Sequence, residues 1–208
     1  INVGLVGSEM CIRDSHYSVD SIKHMNDYIR YPSNWKRQEE VFHILDDQTS
    51  DNVEVTIACA VQALNVYYLP DFIQWKVMQK FRKVNMWPFG AGGINQHFVY
   101  WPGHLNVKSL PPWFKAATRR KFEAWYPWWE ENWEMGVPEW HNGKVEYDRW
   151  RNDDFGIKRL DSILNFMESE DWSVRLPEMK EFLDLCDKQR GMSFAETFPE
   201  MKDIFNDL

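Results

Sequence analysis

Two carboxylates and one arginine are the residues of this chain best placed for chemistry. Asp20 ends the stretch HYSVD, and Glu54 lies near the start of VEVTIACAVQ. Two carboxylates on neighbouring strands suit general acid–base catalysis, and a solvated rim of charged side chains is an equal explanation. Arg30 follows Asp20 closely enough to turn back over the strand ends and bind a carboxylate with both arms of its guanidinium. An ordinary surface cation is the alternative for Arg30.

The elements that must position these residues alternate between strand and helix. HYSVD alternates as a short strand would, and VEVTIACAVQ is the most regular strand pattern in the sequence. One face of the latter carries Val53, Val55, Ile57, Cys59 and Val61, and the other carries Glu54, Thr56, Ala58, Ala60 and Gln62. Helices are predicted over 21–47, with an interruption near 31–33, and over 68–82, followed by a third strand, KVNMW. This order is typical of a parallel sheet.

The two faces of VEVTIACAVQ differ in a way that suggests a ligand site. In a barrel covered by helices, the β-branched face packs outward and the small or polar face lines the lumen. The same division places Ser18 and Asp20 on the lumen side of the preceding strand. We therefore expect a ligand to bind at the ends of these two strands.

The remainder of the chain is predicted to be a long loop followed by helices. PFGAGGINQHFVYWPGHLNVKSLPP is rich in glycine, proline and aromatic residues and is expected to be a loop at the active-site face of the sheet. His97 and His104 fit no metal-ligand spacing and are predicted to be loop histidines. Helices are expected from Pro112 with a break at Pro127, and then near 153–168 and 177–190.

Composition narrows the class of protein. The 208 residues are 44% hydrophobic and carry a net charge of −8, which favours a folded domain and argues against a general nucleic-acid binder. No apolar run could span a membrane and the start lacks the features of a secretory signal, so we expect a cytoplasmic protein without membrane partners. Cys11, Cys59 and Cys186 are too widely spaced to hold an iron–sulfur cluster.

The aromatic content supports a second hypothesis. The chain has 12 Trp, 13 Phe and 8 Tyr, and four of the Trp residues recur at helical spacing, namely Trp125, Trp128, Trp129 and Trp133. They predict either a packed helix interface or a platform for a sugar or peptide. A non-enzymatic peptide- or glycan-binding module that uses the loop 87–101 and the helix 125–133 is therefore the alternative function.

Several segments together resemble a known family. YSVDSIKHMNDYIRYPSNW, VEVTIACAVQALNVYYLPDFIQW, NMWP, HFVYWPGHLNVKSLP and EDWSVRLPEMKEFLDLCDKQRGMSFAETFPEM are similar to the C-terminal part of twitch-domain-containing radical S-adenosylmethionine (SAM) enzymes. The resemblance extends from His16 to the end of the chain. Its motifs are an SxD pattern, an arginine before an aromatic-anchored helix, and VQxxN after the next strand.

The resemblance implies an α/β fold in which HYSVD, VEVTIACAVQ and KVNMW are strands four to six of a partial (β/α)6 barrel. Residues 16–106 would form this C-terminal half-barrel of about three parallel strands, and 107–208 a mainly helical extension. In the family, a CxxxCxxC loop holds a [4Fe–4S] cluster that takes an electron from a donor and cleaves SAM reductively. The resulting 5′-deoxyadenosyl radical abstracts hydrogen from a substrate, whose identity the sequence does not reveal.

The same resemblance assigns the cofactor-binding residues. Ser18 and Arg30 match positions that bind the carboxylate of SAM, and Gln62 and Asn65 fall where strand five approaches the cofactor. Asp20 belongs to the strand-four motif. No CxxxCxxC occurs in the chain, so the cluster ligands of the family are missing and this chain alone is expected to be inactive.

The first residues have an unusual explanation. LVGSEMCIRDS corresponds to one reading frame of a transposase-based sequencing adapter, so residues 1–15 are expected to be a library artefact fused to a truncated gene. A native N-terminal arm is the alternative, as is a complete domain that never contained a cluster.

Overall fold

The computed structural model describes residues 13–47, 53–81, 84, 94–132 and 157–206. Its sheet has three parallel strands in chain order: β1 (Arg13–Ser18), β2 (Val53–Val61) and β3 (Ile94–Phe98). Ser18 lies opposite Ala58 in the register of β1 with β2, and Val61 lies opposite Phe98 in that of β2 with β3. The predicted α/β class with three parallel strands is confirmed, as an open sheet in a mainly helical chain.

Seven α-helices accompany the sheet within the part of the chain that the structure describes. They are α1 (Lys23–Ile29), α2 (Trp35–Asp46), α3 (Leu69–Gln79), α4 (Pro112–Asn132), α5 (Ile157–Glu168), α6 (Leu176–Arg190) and α7 (Phe194–Thr197). Helix α2 begins after Asn34, whose side chain accepts a hydrogen bond from the Arg37 amide. Helix α6 ends at Gly191, which has the left-handed conformation (φ 64°) that glycine adopts without a steric penalty. None of the helices found there is long and apolar enough to cross a membrane.

The third strand lies after the position predicted for it. Of KVNMW only Val84 is among the described residues, and it is buried at a bend rather than paired in the sheet. Strand β3 instead falls within the stretch predicted to be a loop, so that His97 lies on a strand with its side chain exposed. The loop prediction for this stretch was wrong because β3 has five residues, two of them amides, and therefore has a weak apolar pattern. The other four residues of KVNMW lie outside the described residues. Residues 88–93 of the glycine-rich stretch lie outside the described residues.

Helix α4 continues through Pro127, where a break was expected. A proline in a helix removes one main-chain hydrogen bond and leaves a carbonyl one turn earlier without its partner. Pro127 is exposed, so water can hydrate that carbonyl. The apolar residues on either side, Trp125 and Trp129, are both buried and hold the two halves of the helix against the core.

One hydrophobic core includes residues from before and after position 106. The ring of Phe198 lies 5.3 Å from that of Tyr28 and 5.8 Å from that of Tyr68, measured between centroids. Tyr28 donates a 2.6 Å hydrogen bond to Asp187, and Tyr68 donates one of the same length to Glu200. The C-terminal segment therefore packs on α1 and on the turn that precedes α3. The division into 16–106 and 107–208 stays a prediction.

The beginning of β1 includes residues expected to derive from the adapter. Arg13–Ser15 pair with Val53–Val55, so the strand begins before His16. Strand pairing uses main-chain groups, which every residue except proline supplies, so this pairing is compatible with either origin. The artefactual origin of residues 1–15 stays a prediction, and residues 1–12 lie outside the described ranges.

The two faces of β2 are arranged as the alternation predicts. Val55, Ile57 and Cys59 are fully buried in the core. On the opposite face Ala58 and Ala60 are half-buried, and Ser18 of the neighbouring strand is exposed. The open face of the sheet therefore carries small and polar side chains near the carboxyl ends of the strands.

Candidate functional site

A buried aspartate joins the ends of β1 and β2. Asp20 follows β1 by two residues and is 3% exposed. Its Oδ1 accepts a 2.7 Å hydrogen bond from the amide of Ala60, and its Oδ2 accepts a 2.9 Å bond from Nη1 of Arg30. Both carboxylate oxygens are thus engaged by donors, one of them a cation. This arrangement favours a structural role for the Asp20 carboxylate over the general acid–base role considered from sequence.

Asn65 joins the same two strand ends from the other side of the network. Its Nδ2 donates to the carbonyl oxygens of Asp20 (2.8 Å) and Ala60 (2.9 Å), and its Oδ1 accepts from the amide of Gln62 (2.8 Å). All three bonds are made by a side chain that is 1% exposed. The VQxxN motif therefore works through the amide of Asn65 and the main chain of Gln62. The structure brings Asn65 and Asp20 into direct contact.

A second side-chain amide of this network, that of Asn26, was not singled out from the sequence. Asn26 is fully buried on α1, and its Oδ1 accepts from the amides of Asp20 (3.0 Å) and Ser21 (3.4 Å). Its Nδ2 donates to Ser33 Oγ and Gln38 Oε1, both at 3.1 Å. Asn26 therefore connects the end of β1 with α1 and α2. A signal was present, since asparagine is a poor helix former and its place inside a helix calls for a specific partner.

Arg30 and Ser18 form the accessible edge of the network. The side chain of Arg30 is 35% exposed, and among the described residues its one carboxylate partner is Asp20. The side chain of Ser18, the last residue of β1, is exposed. Next to Asp20, the buried Ser21 hydroxyl has no hydrogen-bond partner within the described part of the chain. The partly exposed guanidinium of Arg30 is the group at this edge that could bind a carboxylate.

A buried thiol contacts the main chain of Asp20, the residue whose side chain pairs with Arg30. Cys59 is fully buried, and its Sγ lies 3.7 Å from the carbonyl oxygen of Asp20. Burial, with a smaller contribution from the Asp20 charge, holds the pKa of the Cys59 thiol well above its usual range. Because the thiolate is the form that binds metals, Cys59 is a poor metal ligand here.

Neither thiol fits a cluster site. Burial also raises the pKa of the Cys186 thiol, which lies in the core on α6. No group of three His, Cys, Asp or Glu side chains suitable for a metal ion occurs among the residues that the structure describes. The two described thiols therefore do not form a site for a [4Fe–4S] cluster within the part of the chain that the structure describes.

Two other polar candidates are Glu54, whose side chain is not described, and His104, which contacts other residues. Glu54 lies on β2, opposite Asp14 of β1, and its side chain is outside the described part of the structure. His104 lies in a short 3-10 helix, Gly103–Leu105, where its Nδ1 is 3.8 Å from Glu178 and its ring is 5.1 Å from that of Phe182.

The aromatic residues of the alternative hypothesis include buried rings and exposed rings. Trp125 and Trp129 are buried on α4, with ring centroids 5.7 Å apart, as a packed helix interface predicts. Trp133 lies outside the described residues. After β3, by contrast, Tyr100 is 64% exposed and Trp101 is 80% exposed.

Comparison of the chain with protein-family models, with curated proteins and with solved structures finds no match. Its function is therefore inferred from its residues and their geometry.

Proposed function

We propose that the chain is the C-terminal part of a radical SAM enzyme and that the edge formed by Ser18 and Arg30 binds the amino-acid carboxylate of SAM. The observation that carries the proposal is the partly exposed guanidinium of Arg30, held by a buried carboxylate at the carboxyl end of two parallel strands. Ligands of parallel α/β sheets bind at this end of the strands. The resemblance of the SxD and VQxxN segments to the family supports the same assignment.

Each residue of the network has a definite task in this proposal. Arg30 uses one Nη1 bond for Asp20 and has further N–H donors for a planar carboxylate. Asp20 orients the guanidinium, and Asn65 holds the main chain of Asp20 and Ala60 in place. Ser18 contributes a hydroxyl that can donate to the second carboxylate oxygen. In the parent enzyme, SAM held by these residues would supply, on one-electron reduction by the cluster, the radical that abstracts hydrogen from the substrate. The cysteine ligands that this reduction requires would belong to sequence beyond these 208 residues.

The proposal is tested by comparing SAM with decarboxylated SAM in calorimetric titrations of the full chain. We expect SAM to bind about tenfold more tightly, because a charge-assisted hydrogen bond contributes roughly 1.5–3 kcal/mol. Arg30→Lys keeps a cation beside Asp20 and loses the planar fork, so it should abolish most of this difference. Arg37→Lys, an exposed position on α2, is the matched control and should retain it. Equal binding of the two compounds by the folded chain, or binding of neither, would contradict the proposal.

A second candidate function is a binding module for a peptide or glycan. The observation that favours it is the exposure of Tyr100 and Trp101 at the end of β3. Aromatic rings exposed side by side can stack on sugar or peptide ligands. The buried Trp125 and Trp129 would have no part in such a surface, which among the described residues would depend mainly on Tyr100 and Trp101.

A further inference from the structure

A cavity of about 350 Å³ lies between the edge strand β3 and helix α5. Gln96, His97 and Phe98 line it from the strand, and Arg159, Ser162 and Ile163 line it from the helix. Its volume is in the range of small-molecule sites. Val61 and Tyr100 complete the described lining, and none of the lining residues makes one of the hydrogen bonds of the network around Asp20.

Two hydrogen bonds to the neutral residue Gln96 orient the guanidinium of Arg159 in this cavity. Its Nε donates a 2.9 Å hydrogen bond to the side-chain oxygen of Gln96, and its Nη2 donates a 3.2 Å bond to the carbonyl oxygen of the same residue. Arg159 is half-buried and has no carboxylate within 4.0 Å among the described residues. A fixed cation that is not neutralised by an acid favours an anionic ligand.

The acidic residues of α5 are engaged on the side that faces α4. Asp161 accepts a 2.7 Å hydrogen bond from the hydroxyl of Tyr126, and Glu168 pairs with Arg119 at 2.6 Å. Among the described residues that line the cavity, none is a carboxylate. This described lining therefore carries positive charge in a chain whose net charge is −8.

The apolar walls of the cavity indicate which chemical groups the uncharged part of the ligand would have. Ile163 is 2% exposed, and the ring of Phe98 is held by Phe166, with their centroids 4.2 Å apart. These groups form an apolar wall beside the single guanidinium. We propose that this cavity binds a small organic monocarboxylate, with its carboxylate on Arg159 and an aromatic or branched aliphatic body against Phe98 and Ile163.

The binding experiment uses 3-(4-fluorophenyl)propionate as the probe and its neutral amide, 3-(4-fluorophenyl)propanamide, as the matched compound. Both are titrated with the full chain and monitored by fluorine NMR. We expect the carboxylate to bind about tenfold more tightly than the amide, as one charge-assisted hydrogen bond provides. Binding of neither compound, or equal binding of both, would overturn the proposal.

Two variants locate the site. Arg159→Gln should reduce carboxylate binding about tenfold and leave amide binding nearly unchanged, since it removes one charge-assisted hydrogen bond. Arg37→Gln removes the same charge from an exposed position on α2 and should change the binding of neither compound.

Because Arg159 also holds Gln96, Ser162→Trp provides a second test. This variant fills the cavity from an exposed helix position without changing the charge and should block the binding of both compounds. Retention of carboxylate binding in a folded Ser162→Trp chain, or equal losses in Arg159→Gln and Arg37→Gln, would overturn the proposal.

Discussion

At the scale of single residues, the chain buries a cation as well as the Asp20 carboxylate. Lys76 lies on α3 and is 1% exposed, with its Nζ 5.8 Å from the centroid of the Phe81 ring. Burial lowers the pKa of Lys76 to about 7, and the charge of Asp46 opposes part of this effect. Folding therefore depends on the protonation of this side chain near neutral pH.

The lowered pKa of Lys76 predicts how stability changes with pH. Between about pH 7 and the ordinary lysine pKa of 10.5, the unfolded chain binds more protons at this site than the folded chain. The contribution of Lys76 to the free energy of unfolding should therefore rise with pH across this window, by about 1 kcal/mol per pH unit. Cys59 and Cys186 act in the opposite sense as the pH approaches the ordinary thiol pKa of 9.0, because burial raises their pKa. Tyr28, Tyr68 and Tyr126 do so above pH 10, because burial and hydrogen bonds to carboxylates raise their pKa.

Urea unfolding between pH 7 and 8.5, below the ordinary pKa of the two buried thiols, measures this dependence. Lys76→Met keeps the length of the side chain and removes its titration, so the slope should become smaller by about 1 kcal/mol per pH unit. Lys180→Met, which removes an exposed lysine that pairs with Asp184, should leave the slope unchanged. If the Lys76→Met variant and the unsubstituted chain have the same slope, Lys76 keeps an ordinary pKa in the folded protein and the prediction is wrong.

At the scale of secondary-structure elements, Asp20 joins β1, β2 and the end of α1. Asp20→Asn keeps one acceptor oxygen but loses the charge that holds Arg30, so one of the two strong bonds must weaken. We expect the free energy of unfolding to fall by about 2–3 kcal/mol, the contribution typical of hydrogen bonds to buried charged groups.

The matched control for this prediction is Asp184→Asn. Asp184 pairs with Lys180 one turn away on the exposed side of α6, and such pairs contribute about 0.3–0.5 kcal/mol. Urea unfolding of both variants at pH 7 gives the comparison. Equal losses in the two variants would show that the Asp20 network does not hold the strand ends together.

The elements differ in how far the sequence could predict them. Strand β2 and helix α6 have strong apolar periodicity, and their bounds lie within one residue of those expected. Strand β3 was missed because glycines, prolines and aromatic residues surround a short segment with two amides. The contact of Arg30 with a carboxylate was expected, but its protein partner is Asp20 itself. The role of Asn26 depends on how α1 packs against the strand end, which local patterns do not reveal.

At the scale of the whole molecule, the described sheet has two edge strands, β1 and β3. In the proposed parent enzyme, the free edge of β1 would pair with a preceding parallel strand and the half-barrel would be completed. The C-terminal segment already packs on α1 and on the turn before α3, through Phe198 and the bonds of Tyr28 and Tyr68. On this proposal, the open face and the β1 edge are where the N-terminal half of the parent would be added.

The radical SAM assignment is tested most directly by the sequence of the source locus across the codon for His16, read from long DNA molecules prepared without transposase fragmentation. We predict that the native reading frame continues upstream of His16 into further strand–helix units with a CxxxCxxC loop, and that codons for 1–15 are absent. A locus that encodes residues 1–15 directly behind a start codon would contradict the assignment and would favour the binding module.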